Sequence, residues 1–342
     1  MAVVVDGARA AAPSDLRPEG RPLIVLGEIH SGMLQNSGPL TSESVAEMLT
    51  AIRDDPVRLW ERPIRQAISS PILTGVDCDL PSTGATRRAV GTLPTEISVT
   101  DGRLLQTSTQ ARVTLAAQPR RLAWSHYLTR PGVLEVLGSP ALEPITAGFL
   151  GATVTGSLEL GGVCVAVMGR AQASTQLDRR APLTARRTRM RWTATVVGPG
   201  QPATATFAIE DDGLRTLALA VPASVIAQVS GLCESLARHD WILSSVNALV
   251  ESADIGRRPR EAVVRHLRPA IDNLLHTWMP TARLSDDLLP YWHEIDRRSG
   301  LSVHWNNLVQ RIRDQLALAL VERPEGGTMV EVDLRGPWTV TP

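Results

Sequence analysis

The pattern of apolar and polar positions divides the chain into two regions of different period. Leu23-Ile-Val-Leu26 is a continuous apolar run and predicts a buried strand over Pro22–Gly27. Ser44 and Glu47 form a capping box beside Val45, Met48, Leu49 and Ile52, which recur at helical spacing. A further strand is expected over Val57–Ile64. Asp101-Gly102 stands between two alternating runs, Glu96–Thr100 and Arg103–Leu115, and predicts a hairpin whose turn residues take positive φ. A second hairpin is expected over Ala203–Ile209 and Leu214–Val221, turning at Asp211-Asp212-Gly213, with Arg187–Val197 as a neighbouring strand. Over residues 158–170 helix and strand both stay open, because the apolar run fits either period.

Beyond Pro222 the period is helical. Val225, Ile226, Val229, Leu232, Cys233 and Leu236 mark one amphipathic helix, and Trp241, Ile242, Val246, Leu249 and Val250 the next. His239-Asp240-Trp241 reads as the turn between them. Val263, Val264, Leu267, Ile271, Leu274, Leu275 and Trp278 continue the pattern, with Pro269 expected to kink or divide that helix. Ser285 opens a short helix through Trp292, and Trp305, Leu308, Val309, Ile312, Leu316 and Leu320 make the last one. Thr328–Leu334 predicts a closing strand. The expected organisation is therefore a flexible leader over 1–20, a β-rich α+β region over 21–221, a helical region over 222–327, and a closing strand and tail over 328–342. The fold class is α+β: a β-hairpin-rich N-terminal region followed by a mostly helical C-terminal region, without internal repeats.

Composition narrows the chemistry. The 342 residues are 43% hydrophobic and 20% charged, which suits a folded globular chain with ample core. All 35 basic residues are arginine, offset by 35 acids; the chain has no lysine. A guanidinium stays protonated and is no nucleophile, so the phosphate-binding lysine of a P-loop NTPase and Schiff-base chemistry are both excluded. GC-rich codon usage accounts for the absence as a cause. The large rigid anchors are eight tryptophans against two Tyr and two Phe, and each indole N–H wants an acceptor when buried. Cys78, Cys164 and Cys233 lie far apart with no C-x-x-C spacing, which fits a reducing compartment. No signal peptide and no membrane span are read, so the expectation is a cytoplasmic protein without membrane contact.

Six arginines, Arg179, Arg180, Arg186, Arg187, Arg189 and Arg191, fall between Leu177 and Trp192. On a strand, alternation would put Arg187, Arg189 and Arg191 on one face, with Thr188, Met190 and Trp192 facing the core. Aligned guanidinium forks suit phosphate or carboxylate, so Arg187, Arg189, Arg191, Arg179 and Arg180 are candidates for binding an anion or a partner. A second cluster comprises Arg257, Arg258, Arg260, Arg265 and Arg268. Either could contact an acidic protein or nucleic acid, and either could be a solvated face paired with nearby acids.

Glu28 and His30 follow the first predicted strand, where α/β sites usually lie, and alternation puts them on one face as an acid–base pair or two metal ligands. No third ligand is identifiable. Trp124-Ser125-His126-Tyr127 reads as a loop and makes His126 a third candidate, although a Ser adjacent to a His is not a triad. His293-Glu294 begins like H-E-x-x-H, but Arg297 takes the place of the second histidine. His266, His276, His293 and His304 have no convergent partner. No metal set, phosphate-cradling loop or cofactor motif is present, so neither metal nor cofactor is expected.

Four stretches, Leu26-Gly-Glu-Ile-His-Ser-Gly-Met-Leu-Gln-Asn-Ser37, Trp124-Ser-His-Tyr-Leu-Thr-Arg-Pro-Gly132, Gln176-Leu-Asp-Arg-Arg180 and His239-Asp-Trp-Ile-Leu243, resemble a family of actinobacterial proteins with no assigned activity. The resemblance runs from about residue 21 to 322. It implies a gene neighbour encoding a variant P-loop protein, hence a multi-component cytoplasmic system, and supplies no catalytic residues. The expected function is a non-enzymatic interaction or adaptor subunit with a protein partner, a P-loop NTPase among the candidates. The alternatives are a metal-assisted or acid–base hydrolase using Glu28 and His30, and nucleic-acid binding through the Arg clusters.

Overall fold

The computed structural model describes residues 24–84, 86–138, 142–151, 157–198 and 201–321. The predicted leader and the predicted closing strand at Thr328–Leu334 lie outside the described residues. The strands are β1 (Ile24–Met33), β2 (Arg58–Trp60), β3 (Gln66–Ile68), β4 (Ile72–Leu80), β5 (Arg87–Thr100), β6 (Leu104–Leu115), β7 (Val133–Val136), β8 (Thr188–Val196), β9 (Thr204–Ile209) and β10 (Leu214–Val221). The helices are α1 (Ser42–Ile52), α2 (Trp124–Leu128), α3 (Leu142–Leu150), α4 (Leu160–Gln172), α5 (Val229–Ser252), α6 (Arg260–Asn273), α7 (Leu289–Ser299) and α8 (Leu301–Val321). The strands precede most of the helix, so the fold is α+β with a strand-rich N-terminal part and helices towards the C-terminus. Among the described residues no helix is long and apolar enough to cross a membrane.

Among the described residues the ten strands share one sheet, ordered β2-β3-β5-β7-β6-β1-β8-β10-β9, with β4 paired to β5. Both predicted hairpins form. In the first, Asp101 and Gly102 take φ of 52° and 63° between β5 and β6. β7 wedges between these two strands where they diverge, parallel to β6 and antiparallel to β5. In the second hairpin β10 lies inside β9 and pairs parallel with β8.

The central strand β1 is buried along its whole length because helices cover both faces of the sheet. One face carries Val25, Ile29, Met190, Trp192 and Leu217 and packs under α5, with α6, α7 and α8 completing that cluster. The other carries Ile24, Leu26, Ala111 and Val113 under α3 and the start of α4. α1 packs beside α4 over Ile97, Val99 and Leu105. The indole of Trp241 donates to the Arg186 carbonyl at 2.8 Å, whereas that of Trp192 is buried with no acceptor among the described residues.

Four expectations change, and one open segment resolves. The segment 158–170 is helical from Leu160 onward, because Leu160, Cys164, Val167, Met168 and Ala171 all face the sheet at helical spacing. The cap of α1 is Thr41, one turn earlier than predicted: its Oγ1 accepts from the Ser44 N–H at 3.1 Å. Glu47 instead accepts from Gln176. The predicted strand over Val57–Ile64 shortens to β2, since Pro63 has no N–H to offer a ladder. The predicted turn at His239-Asp240 lies within the single long helix α5, because both polar side chains find buried partners there. Asp240 accepts from Arg215 Nε at 2.6 Å, and His239 bridges the Ser235 carbonyl and the Met279 N–H. Finally, Trp124-Ser-His-Tyr127 is helical rather than loop. Pro269 lies inside α6 as expected, and that helix gives way to a short 3-10 turn at Leu275–Thr277.

Candidate functional site

Glu28 and His30 do not follow the first strand. They sit in the middle of β1, which continues to Met33. The strand survives these polar residues because neighbouring strands satisfy them. In the antiparallel pairing of β1 with β8, Glu28 stands opposite Arg191 and His30 opposite Arg189. On the other side β1 pairs with β6, where Glu28 faces Thr109 and His30 faces Thr107. Two groups far apart in sequence, the acid–base pair and the arginine row, therefore occupy one patch of one sheet face.

Glu28 is 1% exposed and His30 8%. Glu28 Oε1 and His30 Nε2 are 3.1 Å apart, so an Nε2–H tautomer donates to the carboxylate. Arg191, 4% exposed, donates from Nε to Glu28 Oε2 at 3.3 Å and from Nη1 to the Gly151 carbonyl at 2.7 Å. Burial alone would raise the Glu28 pKa. The hydrogen bond from His30 and the charges of His30, Arg191 and Arg189 outweigh it and hold the carboxyl below the usual carboxylate range. Above this pair lies α4, whose Gly161 lies against the carboxylate. Cys164, one turn on, donates its thiol to the Glu28 carbonyl at 3.3 Å, and its sulfur lies 3.1 Å from the Thr109 hydroxyl. Burial pushes that thiol up to about 12, so it is no nucleophile at neutral pH.

Arg191, the ion-pair partner of Glu28, also lines an open groove of about 810 Å³ across β8, β10 and β9. Arg189, Arg191, Thr206, Thr216 and Glu210 line it. Thr216 donates to Glu210 at 2.7 Å, which fixes the acid at the rim. Arg189 differs from its neighbours. It lies within electrostatic reach of Glu28 and Asp211, yet its guanidinium makes no hydrogen bond or ion pair among the described residues. A separate narrow crevice lies where Glu28 and Arg191 meet Phe149, Leu158 and Glu159.

The remaining candidates are placed elsewhere. Arg187 precedes β8 and is exposed, so with Arg191 buried the three arginines do not make one exposed row. Met190, Trp192 and Thr188 do face the core. Arg179 donates to the carbonyls of Gln172 and Ala173 at the end of α4, and Arg180 is exposed beside Asp178. Arg186 pairs with Asp212 in solvent. His126 Nε2 is 2.8 Å from Glu135, which also takes Arg130. Glu135 pairs with Thr114 of β6, while Glu28 pairs with Thr109; five residues of strand separate the two levels by about 17 Å. His126 and His30 do not converge. Glu294 of the broken zincin pattern is held by Arg297 and Arg298. Among the described residues no three His, Cys, Asp or Glu side chains gather as a metal site.

Sequence reasoning missed the roles of Gly161 and Thr216. The packing of α4 on the sheet brings Gly161 to Glu28, and the pairing of β8 with β10 sets Thr216 beside Arg191. No family model matches the chain, and neither a curated protein nor a solved structure matches it.

Proposed function

We propose that the protein is a non-enzymatic interaction subunit of a multi-component cytoplasmic system, and that its groove receives an acidic group of a protein partner. The observation that carries this reading is Arg189: a half-buried arginine lining a groove of about 810 Å³ with no ion pair among the described residues. A rigid fork on a central strand is pre-organised for a carboxylate or phosphate. Arg191 supports the reading indirectly, since its ion pair with Glu28 anchors the wall beside Arg189. A P-loop NTPase is a suitable partner, because a lysine-free chain leaves the phosphate-binding lysine to another subunit. The test is co-purification from the native host. Arg189→Gln should strip the partner at moderate salt while the fold stays intact; unchanged co-purification sinks the reading.

The contact between Glu28 and His30 favours a second reading, an acid–base hydrolase. Against it, the carboxylate is committed to Arg191 and the nearest thiol is locked as an acceptor-bonded Cys164. Turnover of a generic ester that disappears in His30→Ala would establish this alternative over the first.

A further inference from the structure

The second arginine cluster is not a uniform solvated face. Two of its members, Arg265 and Arg268, lie one turn apart on α6 and project towards Arg103, which follows the turn between β5 and β6. These three arginines, with Ser37 and Asp272, line a pocket of about 360 Å³. That volume falls near the lower end of small-molecule sites, about 300–1,000 Å³. The pocket shares no lining residue with the groove at Arg189.

Its charges are out of balance. Arg268 Nε pairs with Asp272 at 3.2 Å. The carboxylate nearest Arg103 is Asp101, at 3.6 Å from Nε, beyond hydrogen-bond reach. Asp101 is already taken by Arg65 at 2.8 Å and His276 at 2.7 Å. Arg103 Nε is buried with no hydrogen-bond partner among the described residues. Arg265 makes no hydrogen bond or ion pair there either. Burial lowers the Arg103 pKa, opposed by the charges of Asp101 and Asp272, so Arg103 and Asp272 lie within electrostatic reach of each other. Three guanidinium groups from two elements thus surround one pocket that supplies a single carboxylate of its own. A dianion would satisfy the open donors, and guanidinium forks bind phosphate oxygens through parallel N–H bonds.

We propose that the pocket between the β5–β6 turn and α6 binds a phosphate group, either free or carried by a small molecule, through Arg103, Arg265 and Arg268.

The test titrates the full chain at low ionic strength with inorganic phosphate and with glycerol phosphate, read by calorimetry and thermal shift. Saturable binding is expected. Arg265→Gln should weaken it about tenfold, the scale of one charge-assisted hydrogen bond. Asp272→Asn, which removes the competing carboxylate, should tighten it several-fold. Arg265 is exposed, so its variant tests binding rather than folding. Equal affinities for the two probes assign free phosphate, and tighter binding of the monoester assigns a phosphorylated small molecule. Absence of saturation, unchanged affinity in Arg265→Gln, or loss of binding in Arg189→Gln instead would each overturn the inference.

Discussion

Gly161 lies so close to the Glu28 carboxylate that a Cβ built on it would stand 2.4 Å from Oε1. The helix α4 can therefore rest on this part of the sheet only while that position stays without a side chain. Gly161→Ala must push the carboxylate away from His30 and Arg191, and such overpacking costs about 1–3 kcal/mol. Gly162→Ala is the control: a Cβ there meets nothing nearer than 3.9 Å, so the change should be neutral or stabilising by up to about 1 kcal/mol. Urea unfolding of the two variants measures the difference, and equal midpoints would show that the contact is easily relieved.

Arg215 and Asp240 form the second buried ion pair, at 2.6 Å with side-chain exposures of 5% and 3%. Removing one partner leaves a charge in the interior, at about 3–5 kcal/mol. Arg215→Leu should therefore lower stability sharply. The double variant Arg215→Leu with Asp240→Leu should recover most of the loss, because apolar replacements of a buried pair are often neutral. A double variant no better than the single one would place the value of the pair in its other bonds, to Ser244 and the Asp211 carbonyl.

Stability should fall on both sides of a mildly acidic optimum. Burial, helped by the charge of Arg238, depresses His239 to about 3 from 6.5. Below 6.5 the unfolded chain binds a proton that the folded chain refuses, so acidification towards 3 costs up to about 1.4 kcal/mol per pH unit. Glu234 behaves in the opposite sense. Burial and the charge of Glu96 raise it from 4.5 to about 7. The folded chain keeps that proton while the unfolded chain releases it, so this contribution is full below 4.5 and is lost as pH rises to about 7. Thermal midpoints from about pH 3 to pH 8 should show the acid slope below 4.5 and the alkaline slope above 6.5, with the two contributions cancelling in between. Glu234→Gln should flatten only the alkaline one, and His239→Gln only the acid one.

Thiol labelling should read the burial of α4 and α5. Cys164 and Cys233 are fully buried, and burial raises both thiols. Cys78 is half-buried on β4, and burial with the charges of Asp77 and Asp79 raises its pKa too. In the native protein Cys78 should react slowly and the other two only on unfolding, as a timed count with a chromogenic disulfide reagent would show. Rapid labelling of Cys164 would mean that α4 lifts from the sheet.

The local parts of this architecture were legible because their signals are local. Asp101-Gly102 needs only its own φ angles, and the helical spacing in α6 and α8 survives burial. β4 was not among the predicted elements, although Ile72, Val76 and Cys78 alternate along it with exposed neighbours. Four-residue β7 is too short to carry a period. At His239-Asp240 polarity suggested a turn, because nothing nearby in sequence announces Arg215 or Met279 as partners. The site followed the same rule. Glu28, His30, Arg189 and Arg191 were each visible as residues. Their meeting was not, since it depends on β8 docking against β1 across a long stretch of chain.

That docking sets the order in which the molecule can be made. β1 is the first described strand, yet its pairs are Glu28 with Thr109 on one side and Glu28 with Arg191 on the other. During synthesis the middle of the sheet must wait, apolar and half-paired, until β8 leaves the ribosome. Pairings of such sequence separation close slowly and expose unpaired edges meanwhile. Nascent chains arrested before β8 should therefore depend on chaperones, while chains released after β10 should not.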